Sequence, residues 1–442
     1  MTYKLDDHFT YKKLMLISLP AIMQMIFISI YGIVDGFFVS NYCGTTAFSG
    51  VNIVWPITNI LSAFGFMMGT GGTALVAKTL GEGKKELACK IFSMIVIFTF
   101  LMGIVLSITG FFLIGHIAYA LGARDELLDY ATRYGRILII FNAFFIMQSL
   151  FHSFFIVAEK PKLGFIATLC AGITNMFLDL LFVGILKLDV EGAAFATAIS
   201  YIVGTLFAFF YFVFNKTNKL HLTFTKIEFK YISRAIVNGS SELVSNISMS
   251  IVSLLFDMQL LRYYGEAGVA SYGIIMYVSF IFVAIFIGFV ISISPIISYN
   301  YGAKNNEELK NVYGKAIQIV FVGGIIMTIL IFSLATPLSY IFAHKDPELL
   351  KLSSHAMRIY AFTFMLGGIT FFASAFFTAL NNGLISAIIS FVRVLVLEVG
   401  CVLIMPLIIG KEGIWFSTIA SESIALIISL TFILKFKKKY NY

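Results

Sequence analysis

Twelve uninterrupted apolar stretches, roughly 22 to 31 residues each, constrain this chain more than any other feature of its sequence. They run near residues 14–40, 47–77, 88–114, 133–157, 163–186 and 193–214, and again near 236–261, 269–299, 313–342, 357–380, 384–409 and 413–435. Each is long enough to cross about 30 Å of hydrocarbon, some with tilt. In lipid the backbone must satisfy its own hydrogen bonds, which leaves helices or a closed barrel, and barrel strands alternate apolar and polar residues over roughly ten positions. These stretches do not alternate. The reading is an all-α integral membrane protein of twelve transmembrane helices. Composition agrees, with 59% hydrophobic and 12% charged residues, whereas a soluble domain carries about 25% charged residues. An ordinary soluble domain, a disordered chain, a secreted disulfide scaffold and a nucleic-acid-binding module are excluded together. Cys43, Cys89, Cys170 and Cys401 share no close spacing and read as small core residues, not as a disulfide or metal framework. The polar N-terminus, Met1 to Lys13, leads into a first run too long for a cleaved signal, so that run is taken as a retained span.

Positive residues are retained on the cytoplasmic side of a membrane, so alternate loops report orientation. Placing the N-terminus inside assigns twenty-one Lys and Arg to cytoplasmic segments and nine to the other side, with Arg393 inside a span. Both termini are therefore expected in the cytoplasm, with the chain in the inner (cytoplasmic) membrane. The net charge of +8 follows from this topology and implies no nucleic acid.

The chain also repeats itself. Glu191-Gly192-Ala193-Ala194-Phe195-Ala196-Thr197 recurs as Glu412-Gly413-Ile414-Trp415-Phe416-Ser417-Thr418, an offset of 412 − 191 = 221 residues, and the same offset takes Gly44 to Gly265 and Gly81 to Gly302. Six spans per repeat give both halves the same orientation, so two pseudo-symmetric six-helix lobes are expected: residues 1–214, a cytoplasmic linker 215–232, and residues 233–442. Two-lobed bundles of this kind hold a site between lobes and work by alternating access.

Carboxylates at bilayer depth cost about 2.5 to 3.5 kcal/mol even on the lenient insertion scale, so each needs a reason. Asp35 lies late in the first span and Asp179 in the fifth, where Asn175, four residues earlier, shares its helix face. Thr197 on the sixth span adds a hydroxyl. Four oxygen-bearing side chains in one lobe form a hard-ligand set suited to Na⁺ or an exchangeable proton. The alternative is mutual satisfaction through interhelical hydrogen bonds, which leaves two carboxylates uncompensated, since no Lys or Arg lies in those spans.

The second lobe presents a further polar cluster, Glu242, Asn246, Asp257, Arg393 and Glu398. Asp257 and Glu398 are near repeat-equivalents of Asp35 and Asp179. Arg393 is expected to pair with Glu398 or another of these acids, and Asp257 with Arg262, so the first lobe is favoured for ion coupling. Pro20 removes a backbone hydrogen bond in the first span and is expected to kink it, fifteen residues before Asp35. Gly69, Gly71 and Gly72 read as close helix packing, because a phosphate loop would need a Lys. His152 reads as either a proton relay or a histidine bonded to a neighbour.

These residues resemble those of the multidrug and toxic compound extrusion (MATE) transporters along essentially the whole chain. The stretch from Pro20 to Asp35, the pair Asn175 and Asp179, Glu191-Gly192-Ala193-Ala194 and Thr197 carry the likeness. Gly239-Ser240-Ser241-Glu242-Leu243 and Pro295-Ile296-Ile297-Ser298-Tyr299-Asn300-Tyr301-Gly302-Ala303 resemble the MepA-like bacterial branch. The resemblance implies outward export of cationic, apolar drugs driven by inward H⁺ or Na⁺, with Asp35, Asn175, Asp179 and Thr197 as the cation site, no cofactor beyond the coupling ion, and a monomer in the lipid bilayer. The chain lacks the mid-span Glu of the seventh span and the Asp of the tenth that serve a second-lobe Na⁺ site, so that site is not carried over. A flippase for lipid-linked precursors is the rival; it calls for a strongly cationic cleft, and only Arg393 lies within a span. A membrane-embedded enzyme would need a nucleophile, metal cluster or His–acid pair, and no span supplies a His-x-x-x-His or a triad-like grouping.

Overall fold

The computed structural model describes residues 3–215 and 219–442, so Met1 and Thr2, and Lys216 to Asn218 of the expected linker, lie outside the described residues. Among the described residues the chain is a succession of helices with no strand. We number the spans α1 Tyr11–Cys43, α2 Thr46–Gly81, α3 Lys85–Ala120, α4 Asp125–Ile140 with Asn142–Val157, α5 Pro161–Ile185 and α6 Asp189–Phe214. The second half comprises α7 Phe229–Tyr264, α8 Glu266–Gly302, α9 Asn306–Ala343, α10 Pro347–Ala379, α11 Gly383–Ser390 continued through Phe391–Glu398 and Val399–Ile409, and α12 Gly413–Tyr440. The twelve expected spans are all present.

One expectation is corrected. The fourth span begins at Asp125, earlier than the apolar run near 133–157, and bends by 53° between Ile140 and Asn142. Its first turns are amphipathic because Arg133 pairs with Asp129 and Glu191, both at 2.8 Å, which anchors a polar overhang at the membrane edge. The first span is continuous α-helix from Tyr11 to Phe38 with Pro20 inside it. A π-helical turn, Val39–Cys43, comes later, just after Asp35. A second such turn, Leu180–Ile185, follows Asp179, and a third, Phe391–Glu398, contains Arg393. π-Helical turns shift the register of a helix locally and recur at functional sites.

The repeat is visible as structure. Gly44 and Gly265 make the turns that join α1 to α2 and α7 to α8, with φ of +93° and +65° that disfavour a side chain. Glu191 at the start of α6 binds Arg133 of α4, and Glu412, its repeat-equivalent before α12, receives His355 of α10 at 2.9 Å and the Tyr264 hydroxyl at 3.0 Å.

The two halves meet along one face of the molecule, the face that also carries both ends of the described chain. There the helices approach until only glycine fits. A Cβ on Gly71 of α2 would stand 2.0 Å from the Ala235 carbonyl oxygen of α7, and one on Gly239 of α7 would stand 1.9 Å from the Met67 carbonyl oxygen of α2. The repeat-related pair Gly81 and Gly302 behaves alike, facing the carbonyls of Tyr299 and Lys78 at 2.0 and 2.1 Å. Asn381 at the start of α11 adds a hydrogen bond across the seam to the Ala74 carbonyl, 3.2 Å. Toward the opposite face the halves touch through exposed rings, Trp55 of α2 meeting Phe280 of α8 edge to face with 6.4 Å between centroids. The molecule is thus closed on its terminal face.

A short strap reinforces that closure. Before α1 begins, the Tyr3 hydroxyl donates to the Ile156 carbonyl at 2.8 Å and the Leu5 amide to Glu159 at 2.6 Å, both in the first half. A few residues later the Phe9 amide donates to Glu308 at 2.9 Å, while Asn311 and Lys315 donate to the Phe9 carbonyl at 3.0 and 2.7 Å, all in the second half. Leu5 and Phe9 are fully buried. The following turns of α1, through Ile22, share the apolar core of α7–α12, whereas Phe27 and Tyr31 pack on Gly172 of α5. One helix therefore crosses from one half to the other before it reaches Asp35.

Candidate functional site

Asp35, Asn175, Asp179 and Thr197 come together. α5 and α6 lie against each other and α1 covers α5; Gly172 is what lets α1 approach, since a Cβ there would stand 2.4 Å from the Phe27 ring. One turn further along α5, Asn175 donates to the Thr197 hydroxyl at 3.2 Å, and Thr197 donates onward to Asp35 at 3.3 Å. Both bonds are at the long end of the range for such groups. The chain of donors stops there. Asp179, one helical turn beyond Asn175, has neither carboxylate oxygen hydrogen-bonded, and the Asn175 carbonyl oxygen is likewise without a donor among the described residues. The neighbour of Asp179 is the Asp35 carboxyl itself. Asn175 and Asp179 are 0% exposed and Thr197 is buried, whereas Asp35 is partly open.

Two carboxylates side by side, one sealed from solvent and with no Lys or Arg bonded to either, are expensive unless something positive lies between them. The set of unsatisfied oxygens (two from Asp179, one from the Asn175 amide) with those of Asp35 and Thr197 is the all-oxygen donor chemistry that a small hard cation or a proton requires. Among the described residues no group of three or more His, Cys, Asp and Glu side chains is placed to hold a metal ion.

The second-half cluster does not form as expected. Arg393 turns to Glu422 on α12 and not to Glu398, with its Nη2 2.6 Å and its Nε 2.7 Å from the same Glu422 oxygen. Glu422 escaped the sequence reading, although its signal was the one used for the others: an acid in the middle of an apolar run. Asn246 spends its amide on the Glu242 main-chain carbonyl, 2.8 Å away on the same helix. Arg262 lies over the Tyr263 ring at 5.6 Å and forms no ion pair with Asp257 among the described residues. The remaining sequence candidates resolve simply. His152 is half-buried, 3.1 Å from the Thr168 hydroxyl, and Gly69, Gly71 and Gly72 are packing positions, against Ser153, the α2–α7 seam and Phe154 with Ile95. All four cysteines are free, but only Cys89 is the buried core residue expected; Cys43 and Cys401 are half-buried and Cys170 is exposed.

A family model described as MatE matches residues 20–181 and 243–403, spanning α1 to α5 and α7 to α11 in two copies that mirror the repeat. The chain belongs to the MatE family. Among its relatives, the Multidrug export protein MepA of Staphylococcus saprophyticus is 24% identical over 431 residues, 97% of this chain and 94% of that protein. The MepA of Staphylococcus aureus strain MRSA252 is 23% identical over 429 residues, with the same coverage. Two solved structures share the fold. One is described as the crystal structure of MATE in complex with MaL6, with a TM-score of 0.93 at 22% identity, covering 99% of this chain and 98% of that one. The other, from Pyrococcus furiosus, is described as a MOP superfamily transporter whose reverse polarity of binding pocket suggests different function; its TM-score is 0.92 at 22% identity, with full coverage of both chains. This MatE chain is accordingly a multi-pass membrane protein with the MATE transporter fold.

Proposed function

We propose that this MatE chain is a secondary active multidrug exporter that extrudes cationic, apolar compounds in exchange for H⁺ or Na⁺ by alternating access. The observation that carries the reading is the juxtaposition of Asp35 and Asp179 with no cationic partner and with buried acceptor oxygens left open around them. The names of its MepA relatives support the substrate class. In this reading residues 1–214 and 233–442 are the moving lobes, the terminal face is cytoplasmic, and the chain works as a monomer in the inner membrane.

An ion with equal affinity for both conformations shifts nothing, so coupling requires the site to differ between them. α1 supplies the difference. Its first half is packed into the second lobe while Asp35, near its far end, faces Asp179 in the first. When the lobes rock, Asp35 and Asp179 are not carried as one body, and the pair of carboxylates holds a cation well in one arrangement and poorly in the other. Binding the ion from the outer side then favours the state that releases drug outward. Its departure to the cytoplasm returns the empty, anionic site to a state that receives a cationic drug.

The test is efflux of a fluorescent cation such as ethidium from proteoliposomes under a pure H⁺ gradient and a pure Na⁺ gradient, in the native protein, Asp35→Asn and Asp179→Asn. Flux driven by one gradient and lost in both variants, with drug binding retained, is the expected result. Unchanged transport by the variants would reduce the two acids to structural groups, and no gradient-driven flux in the native protein would refute antiport.

A further inference from the structure

The second half holds a charged centre that the antiport reading leaves unused. Arg393, on the π-helical turn of α11, directs two nitrogens at one oxygen of Glu422, and Thr370 of α10 donates to the other oxygen at 2.8 Å. The guanidinium lies over the Phe371 ring, 3.9 Å from its centroid, a cation–π contact that completes its surroundings. Gly367 of α10 borders the assembly, its Cβ position lying 3.8 Å from Glu422 and 3.9 Å from Arg393. The two side chains are 13% and 5% exposed. Glu398 and Tyr360 lie within electrostatic reach of both charges.

The repeat supplies the meaning. The offset 398 − 179 = 219 that relates Glu398 to Asp179 takes Asn175 to position 394, next to Arg393. The offset of 221 takes Thr197 to Thr418, which is buried on α12, and Tyr201, a neighbour of Asp35, to Glu422. α11 and α12 therefore carry the counterpart of the α5–α6 centre, with one chemical difference. Where the first half offers acceptor oxygens and no cation of its own, the second half supplies a guanidinium on a covalent tether.

We propose that Arg393 is the resident cation of the second half: it permanently fills, at Glu422, the role that the exchangeable coupling ion plays at Asp35 and Asp179, and so limits ion exchange to the first-half site. A tethered charge is present in both conformations and adds no differential ion affinity, so only the first half can be driven by a gradient. Without the guanidinium, Glu422 would keep one hydroxyl donor and gain an uncompensated buried charge beside Glu398, which a proton or small cation entering from the cleft would relieve. The inference rests on the antiport reading for its place in transport, but its content, one ion site or two, can be counted without transport.

The experiment compares native protein, Arg393→Gln, Arg393→Lys and the double variant Arg393→Gln/Glu422→Gln, each full-length in detergent and in liposomes. Equilibrium uptake of H⁺ and of radioactive Na⁺ per chain is measured first, then ions exchanged per ethidium, from the drug gradient at which net flux reverses. The native protein is expected to take up one coupling ion, lost in Asp179→Asn. Arg393→Gln should take up a second and exchange two ions per drug, while Arg393→Lys and the double variant return to one. A folded Arg393→Gln with the native count would overturn the proposal and leave the pair as an interhelical tie. Should Arg393→Gln not fold, the native protein still decides: a second ion that disappears in Glu422→Gln overturns it, and a single ion insensitive to Glu422→Gln supports it. Absence of gradient-driven flux would instead strike the antiport reading, leaving the ion count intact.

Discussion

Substituting Gly71 by alanine should push the terminal face open. The new Cβ would sit 2.0 Å from the Ala235 carbonyl oxygen and 2.5 Å from the Gly239 nitrogen, where ordinary contact begins at 3.4 Å, so the backbones must part by 3.4 − 2.0 = 1.4 Å. Both atoms belong to main chain, which has no rotamer with which to move aside. Overpacking of this kind costs about 1–3 kcal/mol. Because the contact crosses between the halves, only the closed arrangement bears that cost, and the ratio of open to closed rises about 5- to 150-fold. Spin labels at Lys84→Cys and Lys304→Cys, exposed turns of the two halves on that face, read the separation by pulsed electron resonance in a background lacking the four native cysteines. Gly71→Ala should lengthen the principal distance, whereas Gly323→Ala, with no atom within 4 Å of the added carbon, should leave it unchanged. If a folded Gly71→Ala keeps the native distribution, the glycine seam is not what holds this face shut.

Three further outcomes follow from the geometry. Replacing Glu308 by alanine strands the Phe9 amide and loosens the strap's hold on the second half, leaving the Asn311 and Lys315 bonds to the Phe9 carbonyl, at about 1–3 kcal/mol; the same spin-label pair should shift in the same direction as for Gly71→Ala, and an unshifted pair would mean that this bond follows closure without contributing to it. Gly172→Ala drives its Cβ to 2.4 Å from the Phe27 ring and should displace α1 from α5, raising the ion concentration for half-maximal ethidium efflux while drug binding measured without ions stays near native. Thr197→Val removes the hydroxyl that links Asn175 to Asp35 and should weaken apparent ion affinity about two- to tenfold, and an unchanged affinity would exclude that hydroxyl from the site.

Much of the architecture was legible because a bilayer leaves a chain few choices. A span needs about twenty apolar residues, and twelve such runs could become little else. The start of α4 was hidden for the complementary reason: Asp125 to Thr132 are polar enough to look like a loop, and the structure continues the helix through them, with Arg133 held by Glu191, 58 residues away. The first-half centre was readable because each member is a polar residue stranded in an apolar run. Partner choice was not. Arg393 has Glu398 nearby on its own span, yet its bonds go to Glu422 on the next one, a matter of helix rotation that spacing alone does not encode. The strap was invisible for a simpler reason, since Glu159 and Glu308 look like ordinary solvated loop acids until the chain folds them against Leu5 and Phe9.

That strap also places a delay in the life of each new molecule. Phe9 finds its partner in Glu308, 299 residues downstream. At a synthesis rate of about 5–20 residues per second, roughly 15 to 60 seconds pass between the emergence of the two. Throughout that interval Leu5, Phe9 and the first turns of α1 are without the second half's core residues among which they end. A nascent chain therefore waits with an exposed apolar end, and whatever shields it during biogenesis must let go before the last helices can draw the seam closed.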